Sequence, residues 1–283
     1  MDPFRVSAIS YLNTAPLMWS FENGKRKEEL RKKFQISYTI PSLCAQALRD
    51  GSADIGIIPI AAYASIPDLV IIPDIAIAAN GPVRSILLIS RKPLNGIKSV
   101  ALDSSSRTSA ALTRILFHQF YRSAPSFLEA SPDLEQMLAR ADAALLIGDS
   151  ALQVELTQYH TWDLAEQWQR FTGKPFVFAF WAVRRAAASE EQLQNISHVF
   201  QESRDAGLAH IPELVKIWSP RTRLPEAIIE HYLTRNIHYH LEAEMIEGMR
   251  LFFAHAAECQ ALPHVPELEF IHAGQPATTG API

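Results

Sequence analysis

Cysteine is scarce: the 283 residues hold two, Cys44 and Cys259. They lie far apart, with no His or Cys at metal-ligand spacing, which argues against a disulfide framework and a thiolate-bound zinc. Cys44 falls in the apolar helical stretch "PSLCAQALRDG" and reads as a small buried thiol. The ten histidines are dispersed; His238 and His240, two apart, point to different faces of any helix. Basic charge does not dominate either, with 26 Lys and Arg against 30 Asp and Glu and a net charge of -4. That leaves no footprint for nucleic acid. The one basic run, "KRKEELRKKF", is interrupted by Glu28 and Glu29 and reads as a solvated helix face. No apolar run approaches the ~18 residues of a membrane span. "MDPF" passes into the strand-like "RVSAI" with no basic n-region, apolar h-region or cleavage site. The expectation is a cytoplasmic protein whose partner is a small molecule, not nucleic acid or membrane; oligomeric state leaves no mark in the sequence. Gly-rich phosphate loops, nucleophile elbows and paired-carboxylate motifs are missing as well. Any chemistry has to work with oriented neutral donors and few cations.

What is present is length and rhythm. A chain of this size, 48% hydrophobic, can bury a core for one large domain or two. "FRVSAI", "FQISYTI" and "ADIGIIP" read as strands separated by "TAPLMWSFE" and "PSLCAQALRDG", two helical segments. Pro16 sits in the first turn of one, and Gly51 closes the other. "DLVIIPDIAIAAN" reads as two more strand segments. After "GPVRSILLIS" the alternation restarts with "SVALD", the helix "SSSRTSAALTRILFHQFY", "PSFLEA", "PDLEQMLARA" and "DAALLIG". From Ala186 only helices are expected. This pattern indicates α/β architecture with open sheets. The long apolar runs "RSILLIS" and "FVFAFWAV" are expected to cross between two lobes, giving a bilobal, type II periplasmic-binding-protein-like fold. Lobe 1 would hold residues 1–88 and 183–272, lobe 2 residues 89–182, and 273–283 would be a disordered tail.

In open α/β sheets ligands bind at the carboxyl ends of strands, so strand-to-helix junctions are the candidate sites. The first junction, "YLNTAPL", offers Tyr11, Asn13 and Thr14; either of the last two can cap a helix, and Asn13 can also aim an amide across a cleft. The second, "LDSSSRTSAAL", gathers Ser106, Arg107, Thr108 and Ser109 at a helix start. Free N–H groups, the helix dipole, hydroxyls and a guanidinium could all converge there on a carboxylate. The third, "LLIGDSAL", has Gly148, where backbone can approach a ligand, and Asp149, a cap or a site group. Ser85 is a hydroxyl on a buried strand, either contact or packing. Phe178 and Trp181 either wall an aromatic-sized pocket or pack the core.

Taken in order, "VSAISYLNTAPL", "GSADIGIIPIAAY", "LDSSSRTSAALTRIL", "ADAALLIGDSAL", "TGKPFVFAFWAVR" and "YHLEAEMIEGMRLFF" resemble the chorismate dehydratases of menaquinone biosynthesis. The resemblance runs over nearly the whole chain except the tail. It implies a binding-protein fold reused as an enzyme that removes water from chorismate to give 3-[(1-carboxyvinyl)oxy]benzoate, the first step of the futalosine route. It also implies no metal and no organic cofactor. The family's catalytic asparagine falls on Asn13, its cleft serine on Ser85 and its anion-binding turn on Ser106, Arg107, Thr108 and Ser109. Lys174 stands where the family pattern has an apolar residue, and an altered cleft rim is the expected consequence.

Overall fold

The computed structural model describes residues 2–272, so the expected tail 273–283 lies outside the described residues. Ten strands build two five-stranded sheets of the same plan. In the first, β1 (Phe4–Ile9) lies between β2 (Phe34–Thr39) and β3 (Ile55–Pro59), all parallel. In the second, the corresponding parallel set is β6 (Ser99–Asp103) between β7 (Ser126–Ala130) and β8 (Ala143–Ile147). Each sheet then adds one antiparallel strand and an edge strand. These are β10 (Phe176–Arg184) and β4 (Leu69–Ala79) in the first sheet, β5 (Ile86–Ser90) and β9 (His160–Asp163) in the second.

Strand pairing revises the expectation for the two long apolar runs. "ILLIS" and "FVFAFWAV" do not cross between lobes. Each is paired on both sides within one sheet, β5 with β8 and β9, β10 with β3 and β4. A strand hydrogen-bonded along both edges and buried on both faces reads as continuously apolar wherever it sits, so composition alone cannot separate it from a crossing strand. The chain passes between sheets at residues 80–85 and 173–175, not inside the strands at 88/89 and 182/183. Residues 69–79 form one strand, not two; it absorbs Pro73 and a left-handed Asp74 (φ 62°) where its register with β10 shifts, as a bulge does. β9 was not legible. Its four residues, His160, Thr161, Trp162 and Asp163, are exposed or half-buried, which suits a short edge strand.

Beyond β10 the chain is helical, with helices Glu190–Ala209, Ile211–Thr222, Glu226–His231 and Ala243–Glu258. The first of these carries a Ser189–Gln192 capping box and bears directly on the first junction. Gly207 has no side chain because a Cβ there would come within 1.9 Å of the Pro16 carbonyl oxygen. One turn earlier, Ser203 Oγ donates to the Leu17 carbonyl at 2.8 Å and accepts from Ser20 N–H at 3.1 Å. The segment Leu12–Met18, a 3-10 helix containing Pro16, is thus held in place by a helix almost two hundred residues away. Among the described residues no helix is long and apolar enough to cross a membrane.

Candidate active site

Carboxyl ends of strands from both sheets converge on one cavity, with about 520 Å³ of space that opens to solvent, a size suited to a small ligand. β1 delivers Ile9, Tyr11 and Asn13, and β3 delivers Pro59. The 80–85 passage delivers Ser85. The start of helix Arg107–Ile115, after β6, delivers Ser106, Thr108 and Ser109, and β8 delivers Ile147 and Gly148. Pro41, Ile77, Ile86, Phe178 and Ala179 complete the wall. Phe178 and Ala179, although adjacent, both reach it because the β10 register shifts between Val177 and Ala179. Trp181 does not. It is fully buried, with its ring 4.7 Å from that of Phe200, so packing is its role.

Among the described residues no Asp, Glu, His, Lys or Arg lines this cavity. Its one titratable side chain is the Tyr11 phenol, pushed above its ordinary value first by burial and further by Asp103 and Asp149; it is therefore neutral at ordinary pH. Asp149 lies beside the cavity. Its carboxylate accepts from Leu12 N–H at 3.4 Å, and burial raises its pKa despite that bond. Among the described residues no cluster of three or more His, Cys, Asp or Glu could hold a metal ion.

The second junction divides between two faces. Ser106 is the N-cap of helix Arg107–Ile115: its hydroxyl oxygen accepts from Ser109 N–H at 3.2 Å, and the two hydroxyls lie 2.9 Å apart. That leaves the N–H groups of the first two helical residues without intrahelical partners, at the positive end of the dipole. Thr108 Oγ1 accepts from Ala61 N–H at 3.1 Å, a bond from one lobe to the other. Leu12 to Asp149 is a second such bond. Arg107 is exposed and does not line the cavity; it borders an outer depression with Asp103, Ser104, Arg114 and Glu129. The expectation that its guanidinium sits with the hydroxyls is not met in this geometry. One residue along a helix start turns a side chain by about 100°, so 106, 108 and 109 face inward while 107 faces out. Thr14 is buried beneath the first junction, with its hydroxyl 3.4 Å from Asn13 Oδ1. Lys174 is not at the rim either: it pairs with Glu247 of helix Ala243–Glu258 at 2.5 Å.

Two backbone features set the approach of these groups. Gly148 has φ 60°, and an added Cβ would meet the Tyr11 ring at 3.2 Å; its N–H donates to the Ser85 carbonyl at 2.7 Å. Arg84, also left-handed at φ 67°, donates its own N–H to Asp163 and its guanidinium to the carbonyls of Ala151 and Val154. Local strain of this kind is retained where surrounding bonds overdetermine it, and here it turns Ser85 inward. Behind Ser85 lies Tyr232, which the sequence reading missed. It is 2% exposed and donates to Ser85 Oγ at 2.8 Å. No local motif marks it; only the return of the C-terminal helices to the cavity brings it there.

Comparison with known proteins agrees with this architecture. A structural-genomics protein of Archaeoglobus fulgidus superposes with a TM-score of 0.75 at 14% identity, over 91% of this chain and 97% of that one. The periplasmic aliphatic sulphonate binding protein of Escherichia coli superposes at 0.64 with 17% identity, over 100% and 97%. At such identities these likenesses speak for the binding-protein-like fold alone. In sequence, a chorismate dehydratase of Thermus thermophilus is 28% identical over 284 aligned positions, 94% of this chain and 98% of that protein. A family model described as menaquinone biosynthesis matches residues 4–258, every element that lines the cavity included, and the chain therefore belongs to that family.

Proposed function

We propose that the cavity binds chorismate and eliminates water from it, giving 3-[(1-carboxyvinyl)oxy]benzoate. The observation that carries this reading is a cavity made of neutral hydroxyls, an amide and a helix N-terminus, with no ionised acid or base in its wall among the described residues. A dicarboxylate that brings its own base suits such a cavity better than a substrate that needs one from the protein.

The elimination breaks the C–H bond at ring carbon 3 and the C–O bond at ring carbon 4. Electrons of the first become the third ring double bond, hydroxide leaves, and the proton combines with it as water. Aromatisation drives the step, so the protein mainly selects it over chorismate's rearrangements. The ring carboxylate is read at the start of helix Arg107–Ile115, among Ser106, Thr108 and Ser109. Dipoles fixed there stabilise charge that spreads onto the carboxylate as the proton leaves. The enolpyruvyl carboxylate, folded over the ring, takes the proton and passes it to the departing hydroxyl, so it returns unchanged in the product. Asn13 orients that carboxylate or the departing hydroxyl and stays neutral at any working pH. The bonds Ala61–Thr108 and Leu12–Asp149 hold the lobes together over the ligand, which excludes water and preserves the reactive conformer.

Incubation of purified protein with chorismate, followed by mass detection, tests the reaction. A product lighter by one water is expected, and tight binding without it would make the protein a carboxylate binder. Asp149→Asn tests the proton acceptor: turnover is expected to persist, and its collapse with binding intact would assign the base to the protein.

A further inference from the structure

Tyr232 is a fully buried phenol that donates to a residue of the cavity wall, Ser85. It opens the π-helical turn Tyr232–Asn236, an irregularity that often accompanies functional sites. The turn is anchored to the passage between lobes, since Asn236 Nδ2 donates to the Pro82 carbonyl at 2.9 Å. Just beyond it, His238 exchanges backbone bonds with Ala78 at 2.8 and 3.0 Å. The ring is held from both directions of the chain, and its hydroxyl has little freedom.

The phenol and the serine hydroxyl form a bond that runs from Tyr232 to Ser85. Tyr232 has one proton to give, and Ser85 Oγ receives it at 2.8 Å. Ser85, having accepted, keeps its own proton for a group in the cavity it lines. We infer that Tyr232 is a positioning residue that aligns Ser85 as a donor toward the ligand, an inference that rests on the chorismate reading of the cavity. Chains of this kind polarise each other, so each donor is stronger than it would be alone. Burial holds the phenol well above its ordinary pKa, so the chain keeps its protons over the whole working range.

The test is a double-mutant cycle of Tyr232→Phe and Ser85→Ala, with thermal unfolding to check that each variant folds. The ring of Tyr232 is kept, so only the hydroxyl is lost. For Tyr232→Phe a fall in kcat of about tenfold is expected, the size of one lost hydrogen bond, with KM changed by less than about threefold. The double variant should be no slower than Ser85→Ala alone, because the phenol acts through the serine. Unchanged kcat in Tyr232→Phe, or losses that multiply in the double variant, would overturn the inference. If the protein binds chorismate without turning it over, the function reading fails while the same cycle in the dissociation constant still decides the role of Tyr232. A ligand-free measurement completes the set: the Tyr232 hydroxyl proton, observed by NMR and absent in Tyr232→Phe, should shift in Ser85→Ala. A resonance indifferent to that change removes the link.

Discussion

The two faces of the turn 104–109 make an instructive contrast. Its inner face presents Ser106, Thr108 and Ser109 to the cavity, all 7% exposed or less. Its outer face presents Ser104 and Arg107 to a depression bordered by Arg114 and Glu129. Charge is outside and dipoles are inside. A guanidinium within the cavity would have to be stripped of water, and unless perfectly paired that costs more than the attraction returns. Neutral donors already satisfied by each other, as Ser106 and Ser109 are, cost little to bury and cannot change charge with pH. The inner face can therefore hold an anion in a fixed geometry, while the outer face remains an ordinary solvated surface.

The contrast can be broken from either side. Asn13→Ala removes an amide from the cavity wall, and under the proposed reaction a fall in kcat of about 100-fold is expected; turnover near the parent value at saturating chorismate would take Asn13 out of that mechanism. Gly148→Ala forces a Cβ onto left-handed backbone and against Tyr11, so a loss of about 1–2 kcal/mol in unfolding free energy is expected from the backbone alone. Denaturant midpoints would register it, and an unchanged midpoint would mean that Tyr11 yields freely. Thr108→Val keeps shape but deletes the hydroxyl that takes Ala61 N–H, so KM for chorismate should rise about tenfold. An unchanged KM would separate lobe closure from binding.

The outer face should respond weakly. Arg107→Ala is expected to alter KM by no more than about twofold, as for an exposed charge away from a ligand. A larger effect in steady-state kinetics would mean that Arg107 reaches the substrate in another state of the lobes. Asp103 gives the smallest effect. Burial raises its pKa against the opposing bonds from Ser105. Folded protein then binds more protons than unfolded chain just above pH 3.8, and its contribution to stability falls as pH rises through the raised value. Asp103→Asn should therefore lose less Tm than the parent between pH 4 and 7; equal losses would show that its carboxyl is not held up by burial.

Much of the site could be read in the order of residue types. Tyr11, Asn13, Ser106, Thr108, Ser109 and Gly148 line the cavity because strand-to-helix junctions of open sheets face a common edge, and Ser85 joins them from the passage between the sheets. Arg107 could not be sorted from its neighbours, since whether a side chain at a helix start faces inward depends on the phase at which the helix leaves its strand. Tyr232 could not be read at all. Its neighbours in sequence are helical and unremarkable, and its partner Ser85 lies 147 residues away.

Local chemistry is what the sequence by itself determined: two rounds of strand and helix, with caps and hydroxyls at their junctions. These follow from periodicity and residue type, which act over a few residues. Tertiary structure alone decided which sheet owned β5 and β10, which side of the 104–109 turn faced the cavity, and that a phenol from the C-terminal helices would stand behind Ser85. Such choices depend on long-range pairing and burial, whose free energy appears only when distant segments close together.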